Sequence, residues 1–295
     1  MTLIAGFTLT DLVLAAVVCL IAVWVGALLA KKQARAYSST NGDAHPSVNY
    51  FDYGDLRFLH LGSPAVQGSM KISQPYEIHL DYVQRMMGWL LFTDLDRVPH
   101  LRAMQLGLGA ASLTKFCHKQ LGMDTTAVEL NPQVISTCRH SFHLPMDNDR
   151  LQVILADAAE VVTQTRWHEK IDVLQVDLYD AQASRPALDT PSFYSDCRQL
   201  LTQEGCLVIN VFGKASQPAE TLKTMAHIFG EAAVWAFKPT PAGNVVILAL
   251  RTPRTPDAKS LAIQAQKIQE RWSLPTEKWL ETLSPVRIKG ATAAP

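Results

Sequence analysis

The chain has 295 residues, with 27 basic side chains, 27 acidic side chains and five cysteines. This length is enough for one large or two small domains. The zero net charge provides no basic field for nucleic acid, so we expect no nucleic-acid partner. The cysteines are odd in number and form no Cys-x-x-Cys pair, so we expect buried thiols, no disulfide framework and no metal.

The first segment of interest, residues 12–30, contains no charged side chain. As a helix it would span roughly 30 Å, the thickness of a bilayer core. Lys31, Lys32 and Arg35 follow at once and nothing basic precedes them, so the positive-inside rule places the rest of the chain in the cytoplasm. We therefore expect residues 1–35 to form an uncleaved membrane anchor. There are two alternatives: a cleaved signal peptide, and a misassigned start codon upstream of a soluble cytoplasmic enzyme.

Residues 36–48 are polar and rich in turn formers, which predicts a flexible linker. Residues 49–100 are expected to form a small N-terminal β-unit followed by a helix. Its strands are predicted at Tyr50–Tyr53, Arg57–Leu61 and Val66–Ile72, and its helix at Tyr82–Phe92.

Residues 101–255 alternate between strand-like and helix-like patterns, which predicts a Rossmann-like catalytic domain. Strands are predicted at 103–108, 125–130, 151–156, 172–178, 205–212, 233–238 and 244–250. Helices are predicted at 111–121, 132–142, 158–165, 192–202 and 218–229. The last two strands are too close together for a helix between them, so they form a hairpin. Five βα units and a hairpin describe the seven-stranded α/β sheet of S-adenosylmethionine-dependent transferases. Residues 256–295 add a helix over 256–283 and a tail.

The first strand of this domain ends in Gly107 and Gly109, which predicts a tight turn that opens a helix. Closely spaced glycines let the backbone approach a bound nucleotide-like ligand. Glu129 stands at the end of the next strand, where a carboxylate can accept from two ribose hydroxyls. The arrangement predicts a site for an adenosine cofactor.

Asp157 stands at the end of the third strand, at the edge where open α/β sheets bind ligands. Its carboxylate can accept from the adenine amino group, and Ala158 can present a backbone N–H to the ring. The alternative is that Asp157 only caps the helix that begins at residue 158, and both roles can hold together.

Asp177 ends the fourth strand and Asp180 follows in the loop. Two neighbouring carboxylates at this edge are costly unless they meet a cation or hold a proton. They suit a cationic amine, which attacks a sulfonium carbon only after a base has taken its proton. We expect Asp177 to be the base and Asp180 to orient the amine. The alternatives are a helix cap or ribose contact for Asp177 and a turn residue for Asp180.

With these residues the chain resembles the spermidine synthase (polyamine aminopropyltransferase) family, and more closely its bacterial spermidine synthase-like members, over roughly residues 50–283. The motifs that carry the resemblance lie at 67–70, 81–87, 105–110, 128–132, 157–158, 176–180, 193–197 and 210–213. The resemblance implies decarboxylated S-adenosylmethionine as donor and putrescine as acceptor. It also implies that Asp177 accepts the proton and that Glu129 and Asp157 contact the nucleoside. The substrate-binding residues expected within these motifs are Gln67, Gln84 and Tyr179.

Two positions depart from the family pattern. Ala110 stands where the family's glycine loop has an aspartate that helps to hold the polyamine, and Arg85 stands where the family has a glutamate. The donor half of the site therefore looks intact and the acceptor half altered, so we expect weak activity on putrescine.

The leading hypothesis is an aminopropyltransferase-like enzyme anchored in the bacterial inner membrane, with a small-molecule amine as partner and a homodimer as its assembly. A methyltransferase that uses ordinary S-adenosylmethionine on another small molecule is the first alternative. A nucleoside-binding relative without turnover is the second.

Overall fold

The computed structural model describes residues 45–179, 188–212 and 217–288. The expected anchor at residues 1–35, most of the expected linker and Asp180 lie outside these ranges. The expected homodimer stays a prediction.

A three-stranded antiparallel sheet forms the N-terminal unit, with strands β1 (Val48–Tyr53), β2 (Leu56–Leu61) and β3 (Val66–Lys71) in that order. Its inner face carries Leu59 and Met70, which are buried in a small apolar cluster together with Ala110 and Phe142. Burial of these side chains fixes the small sheet over the segment that carries Ala110, which is the glycine turn of the larger domain.

The predicted helix Tyr82–Phe92 is two separate pieces, α1 (Asp81–Arg85) and a 3-10 helix at Gly88–Phe92. A Cβ atom on Gly88 would lie 2.9 Å from the Phe237 ring, so the main chain at Gly88 is in close contact with that ring. This close packing against another element is a tertiary constraint that the local sequence pattern does not report.

Within the described ranges, the main sheet is mixed and has eight strands in the order β11-β9-β10-β8-β7-β4-β5-β6. Their bounds are β4 Arg102–Leu106, β5 Asp124–Glu129, β6 Leu151–Leu155, β7 Ile171–Val176, β8 Leu201–Val211, β9 Val234–Phe237, β10 Val245–Leu250 and β11 Leu283–Pro285. Strands β4 to β8 are parallel, while β10 runs antiparallel between β8 and β9. The predicted α/β class and terminal hairpin are confirmed, and the predicted count of seven strands is too low by β11.

The helices that cover this sheet follow the predicted order. They are α2 (Ser112–Lys115, continued by a π turn at Phe116–Gln120), α3 (Pro132–Ser141), α4 (Ala158–Val161), α5 (Pro191–Leu200), α6 (Gln217–Phe229), α7 (Ala258–Trp272) and α8 (Thr276–Trp279). Side-chain caps begin α3, α4, α5 and α7, from Asn131, Asp157, Thr190 and Asp257. The predicted single helix over 256–283 ends at Ser273, which takes a left-handed conformation (φ 56°) before Pro275. Among the residues that the structure describes, four cysteines are free and buried: Cys117, Cys138, Cys197 and Cys206.

The localisation predicted from the sequence, a single-pass protein of the inner membrane, needs correction. Within the part of the chain that the structure describes, no helix is long and apolar enough to cross a membrane. Helix α7 has 15 residues, which at 1.5 Å per residue is about 22 Å, short of the ~30 Å bilayer core. Residues 12–30, on which the anchor prediction rested, are outside the described ranges.

Candidate active site

The carboxyl ends of the parallel strands meet at the glycine turn that follows β4. The Gly107 N–H donates to the Val128 carbonyl (2.9 Å), and the Asp177 N–H donates to the Leu106 carbonyl (3.0 Å). These bonds extend the pairing of β4 with both neighbours to its last residue. Gly107 has φ 90°, and a Cβ atom there would lie 2.4 Å from the Asp177 carbonyl oxygen. Glycine is therefore required for β4 and β7 to approach this closely.

Gly109 lies on the other side of the same turn, against the N-terminal sheet. It has φ 50°, and an added Cβ atom would lie 3.1 Å from the Gln67 carbonyl oxygen of β3. Gln67, predicted to contact substrate, thus borders the glycine turn through its main chain. Gln84 is predicted for the same role. Its Nε2 donates to the Ile78 carbonyl (2.8 Å), which ties α1 to the segment directly before it.

Glu129 ends β5 and faces the glycine turn. Its Oε2 accepts from the Leu108 N–H (3.0 Å) and its Oε1 accepts from the Asn131 N–H (2.8 Å). Burial raises the pKa of Glu129, and these two backbone hydrogen bonds act against that rise. A carboxylate offers about four acceptor positions, so both oxygens can also accept from ribose hydroxyls.

Asp157 follows β6 at the same edge of the sheet and caps α4. Its Oδ1 accepts from the Ala159 N–H (2.8 Å), and Ala158 is the first residue of the helix. The alternative of a capping role is therefore realised in this structure. Contact of Asp157 and Ala158 with adenine stays a prediction.

Asp177 follows β7 and receives hydrogen bonds from two other elements. Asn210 of β8 donates through Nδ2 to Oδ1 (2.8 Å), and the Tyr82 hydroxyl of α1 donates to Oδ2 (3.3 Å). Removal from water raises the pKa of Asp177, and the hydrogen bonds from Asn210 and Tyr82 lower it. Burial and the Asp177 charge raise the pKa of Tyr82 well above its usual value, so the phenol keeps its proton. The result is a carboxylate with a donor at each oxygen.

Tyr179 completes this group, since its hydroxyl donates to the main-chain carbonyl of Asn210 (2.9 Å) and its ring meets Phe212 edge-on at 6.4 Å. Burial raises the pKa of Tyr179, and the Asp177 charge adds to the effect. The tyrosine predicted to contact substrate therefore ties the ends of β7 and β8 together.

Arg85, one of the two departures from the family pattern, has its charge already paired. Its guanidinium makes a two-bond ion pair with Asp81 at 2.9 and 3.0 Å and donates to the Lys238 carbonyl (2.8 Å). It also lies over the Phe237 ring, 5.7 Å from the centroid. Ala110, the other departure, is buried against β3, where a Cβ atom on Gly68 would approach the Ala110 Cβ to 2.7 Å.

Sequence reasoning missed Tyr82 as part of this group, because its spacing fits an apolar helical stripe. Tyr82 and Asp177 are 95 residues apart, and only tertiary packing brings them together. Asn244, which contacts Asn210, was also missed. The signal that could have found it is a polar residue directly before the wholly buried strand β10.

Comparison with known proteins places this geometry in a family. The model of the Spermine/spermidine synthase domain matches residues 113–254. A polyamine aminopropyltransferase of Neisseria meningitidis serogroup A is 34% identical over 241 residues, which cover 81% of this chain and 89% of that protein.

Two solved structures share the fold. A probable spermidine synthase from Corynebacterium glutamicum superposes with a TM-score of 0.64 at 17% identity, covering 87% of this chain and 98% of that one. Human Methyltransferase-like protein 13, solved in complex with SAH, gives a TM-score of 0.58 at 19% identity, covering 73% and 98%. These two likenesses concern the fold alone, whereas the identity and coverage of the Neisseria relative are enough to assign the family. The chain belongs to the spermine/spermidine synthase family of polyamine aminopropyltransferases.

Proposed function

We propose that this protein transfers an aminopropyl group from decarboxylated S-adenosylmethionine to a small amine, with Asp177 as the base. The amine nitrogen attacks the aminopropyl carbon bonded to the sulfonium sulfur. The new C–N bond forms as the C–S bond breaks, and the electron pair of that bond goes to sulfur, which leaves methylthioadenosine. The proton lost by the nitrogen goes to the Asp177 carboxylate.

One observation carries this proposal: Asp177 is a part-buried carboxylate, and its side-chain hydrogen-bond partners among the described residues, Asn210 and Tyr82, are both placed as donors. Two donors favour the ionised form, which is the form that can accept a proton. Burial raises the pKa of Asp177 at the same time, so the carboxylate is a stronger base than one in water. Its position beside the glycine turn is the edge where open α/β sheets bind their ligands.

The nucleoside half of the donor would lie along the ends of β5 and β6. Glu129 is the proposed contact for the ribose hydroxyls, and Asp157 with Ala158 for the adenine ring. Gly107 and Gly109 would let the main chain approach the donor, which agrees with the lack of space for a side chain at Gly107. Asp180 is proposed to orient the amine, as expected from the sequence.

The test is the Asp177→Asn variant assayed with decarboxylated S-adenosylmethionine and a panel of amines. Asparagine keeps the shape of the side chain but cannot take the proton, so we expect turnover to fall 10²–10⁴-fold. Calorimetry with methylthioadenosine should give an affinity within a few-fold of wild type, which serves as the control for folding and donor binding. The base assignment fails if the variant keeps more than a tenth of wild-type turnover.

The same panel separates the alternatives. The family assignment favours aminopropyl transfer, and the shared fold does not distinguish it from methyl transfer. If no amine accepts an aminopropyl group but another small molecule is methylated from S-adenosylmethionine, the protein is a methyltransferase.

A further inference from the structure

A chain of hydrogen bonds leads from the β9–β10 turn to Asp177. The Asn244 N–H donates to Thr240 Oγ1 (3.0 Å), and the Thr240 hydroxyl is within 3.5 Å of Asn244 Oδ1. Asn244 Nδ2 donates to Asn210 Oδ1 (3.1 Å), and Asn210 Nδ2 donates to Asp177 Oδ1 (2.8 Å). The turn itself is closed by the Thr240 N–H, which donates to the Asn244 carbonyl (2.8 Å).

The donor and acceptor ends of these side chains can be assigned in only one way. Thr240 Oγ1 accepts from the Asn244 N–H, and a backbone N–H can only donate. The Thr240 hydroxyl proton is therefore available for Asn244 Oδ1. With its oxygen facing Thr240, Asn244 can present only its amino group to Asn210. Asn210 must then turn its own oxygen toward Asn244 and its amino group toward Asp177. A side-chain amide has nearly the same shape in both orientations, so its surroundings decide which end faces the carboxylate.

Burial makes the orientation costly to reverse. Asn210, Thr240 and Asn244 are 4%, 6% and 9% exposed. If the Asn210 amide turned over, two oxygens would face each other at Asp177 and two amino groups would face each other at Asn244. Buried polar groups without a partner are strongly unfavourable.

We propose that Thr240 and Asn244 are positioning residues for the transfer reaction, which orient the Asn210 amide so that it donates to the catalytic carboxylate. This inference rests on the proposed role of Asp177 as the base. Neither Thr240 nor Asn244 needs to touch a substrate, because they act through Asn210.

The effect should appear in the titration of Asp177. Among the described residues, the titratable groups that interact with Asp177 are Tyr82 from α1 and Tyr179 from the same loop, and burial raises the pKa of both. Asn244→Asp puts an acceptor where a donor is needed, so Asn210 would turn its amino group away from Asp177. We expect the pKa of Asp177 to rise by one unit or more, which is about tenfold in the proton affinity of the carboxylate.

The experiment measures that pKa directly by ¹³C NMR of enzyme labelled at the aspartate carboxyls, with the Asp177 signal identified by its loss in Asp177→Asn. In parallel, the ratio of variant to wild-type turnover is followed against pH. For Asn244→Asp the ratio should be about one tenth or less on the acid limb and should recover as the pH rises. Asn244→Ala removes the donor without adding a charge and should lie between the two. Ala242→Ser, in the exposed part of the turn, is the matched control and should follow wild type.

The Thr240 pair keeps the test valid if Asn244→Asp does not fold. Thr240→Val has nearly the same shape but no hydroxyl and should raise the pKa of Asp177, whereas Thr240→Ser should restore it. An unchanged Asp177 titration in the folded Asn244 and Thr240 variants would overturn the inference. Wild-type turnover of Asp177→Asn would instead overturn the proposed role of Asp177 as the base. The NMR titration would still decide whether Thr240 and Asn244 orient Asn210.

Discussion

Gly107 offers a sharp test of how the glycine turn holds the site together. An alanine at this position must adopt φ 90°, and its Cβ atom would lie 2.4 Å from the Asp177 carbonyl oxygen. Real Cβ atoms essentially never come within 3.0 Å of such an atom, so the turn or residue 177 must move. Positive φ costs a residue with a side chain about 1–2 kcal/mol, and overpacking a tight contact adds about 1–3 kcal/mol. We therefore expect Gly107→Ala to lose about 2–5 kcal/mol of stability.

Gly54 in the β1–β2 turn supplies the matched control. It also has a positive φ, 59°, but an added Cβ atom would meet nothing within 4 Å. Gly54→Ala should therefore lose only the conformational part, about 1–2 kcal/mol, and keep wild-type turnover.

Urea unfolding of the two variants beside wild type measures the difference, and a turnover assay follows the displacement of Asp177. A misplacement of about 1 Å can cost 10²-fold in rate, so Gly107→Ala should lose at least tenfold in kcat. If both variants unfold at the same urea concentration and turn over equally, the close approach of β4 and β7 does not constrain the site as argued.

Two further predictions concern the carboxylates of the site. Glu129→Ala should weaken methylthioadenosine binding at least tenfold, since a contact with two ribose hydroxyls contributes roughly 1.5–3 kcal/mol; calorimetry giving an unchanged affinity would contradict it. The pKa of Asp177 is higher in the folded protein than in the unfolded chain. Ionisation of Asp177 therefore lowers the free energy of unfolding as the pH rises from the unfolded pKa to the folded pKa. Asp177→Asn should therefore be more stable than wild type at neutral pH, and the gain should disappear below about pH 3.9, the pKa of an aspartate in the unfolded chain. Equal gains in urea unfolding at both pH values would refute this linkage.

Strands of the main sheet that are continuous apolar runs between turns could be predicted from the sequence. The predicted strand at 244–250, for example, is Val245–Leu250 in the structure, and all six of its residues are buried. β11 was missed because it is three residues long and exists only through its pairing with β9, where Leu283 is opposite Phe237. Such a strand has no local signal.

The candidate site divides in the same way. Glu129, Asp157 and Asp177 could be located from sequence because each stands where a parallel strand ends, and those ends share one edge of the sheet. Tyr82, a donor to Asp177, could not be located in this way, since it comes from a preceding helix. Asn244 could not either, since it lies in the β9–β10 turn and reaches Asp177 only through Asn210. Strand order tells which ends meet, whereas hydrogen-bond partners depend on side-chain packing.

The two departures from the family pattern, Arg85 and Ala110, do not carry equal weight. The charge of Arg85 is paired with Asp81 and held by the Lys238 carbonyl, so it adds little positive charge toward an incoming amine. Ala110, by contrast, stands where the family resemblance implies a carboxylate, and it is buried against β3, where a Cβ atom on Gly68 would approach the Ala110 Cβ to 2.7 Å.

The weak turnover of putrescine that the sequence predicts should therefore come from Ala110 and not from Arg85. We expect a wild-type kcat/KM for putrescine below about 10⁴ M⁻¹s⁻¹, and Arg85→Ala should change it less than threefold. Asp81→Ala, which leaves the guanidinium without its partner, should lower it further, since the freed charge repels a dicationic acceptor. A tenfold gain in Arg85→Ala would show that the ion pair with Asp81 does not screen the site, and a wild-type value above the stated limit would show that the lost carboxylate has been replaced by another group.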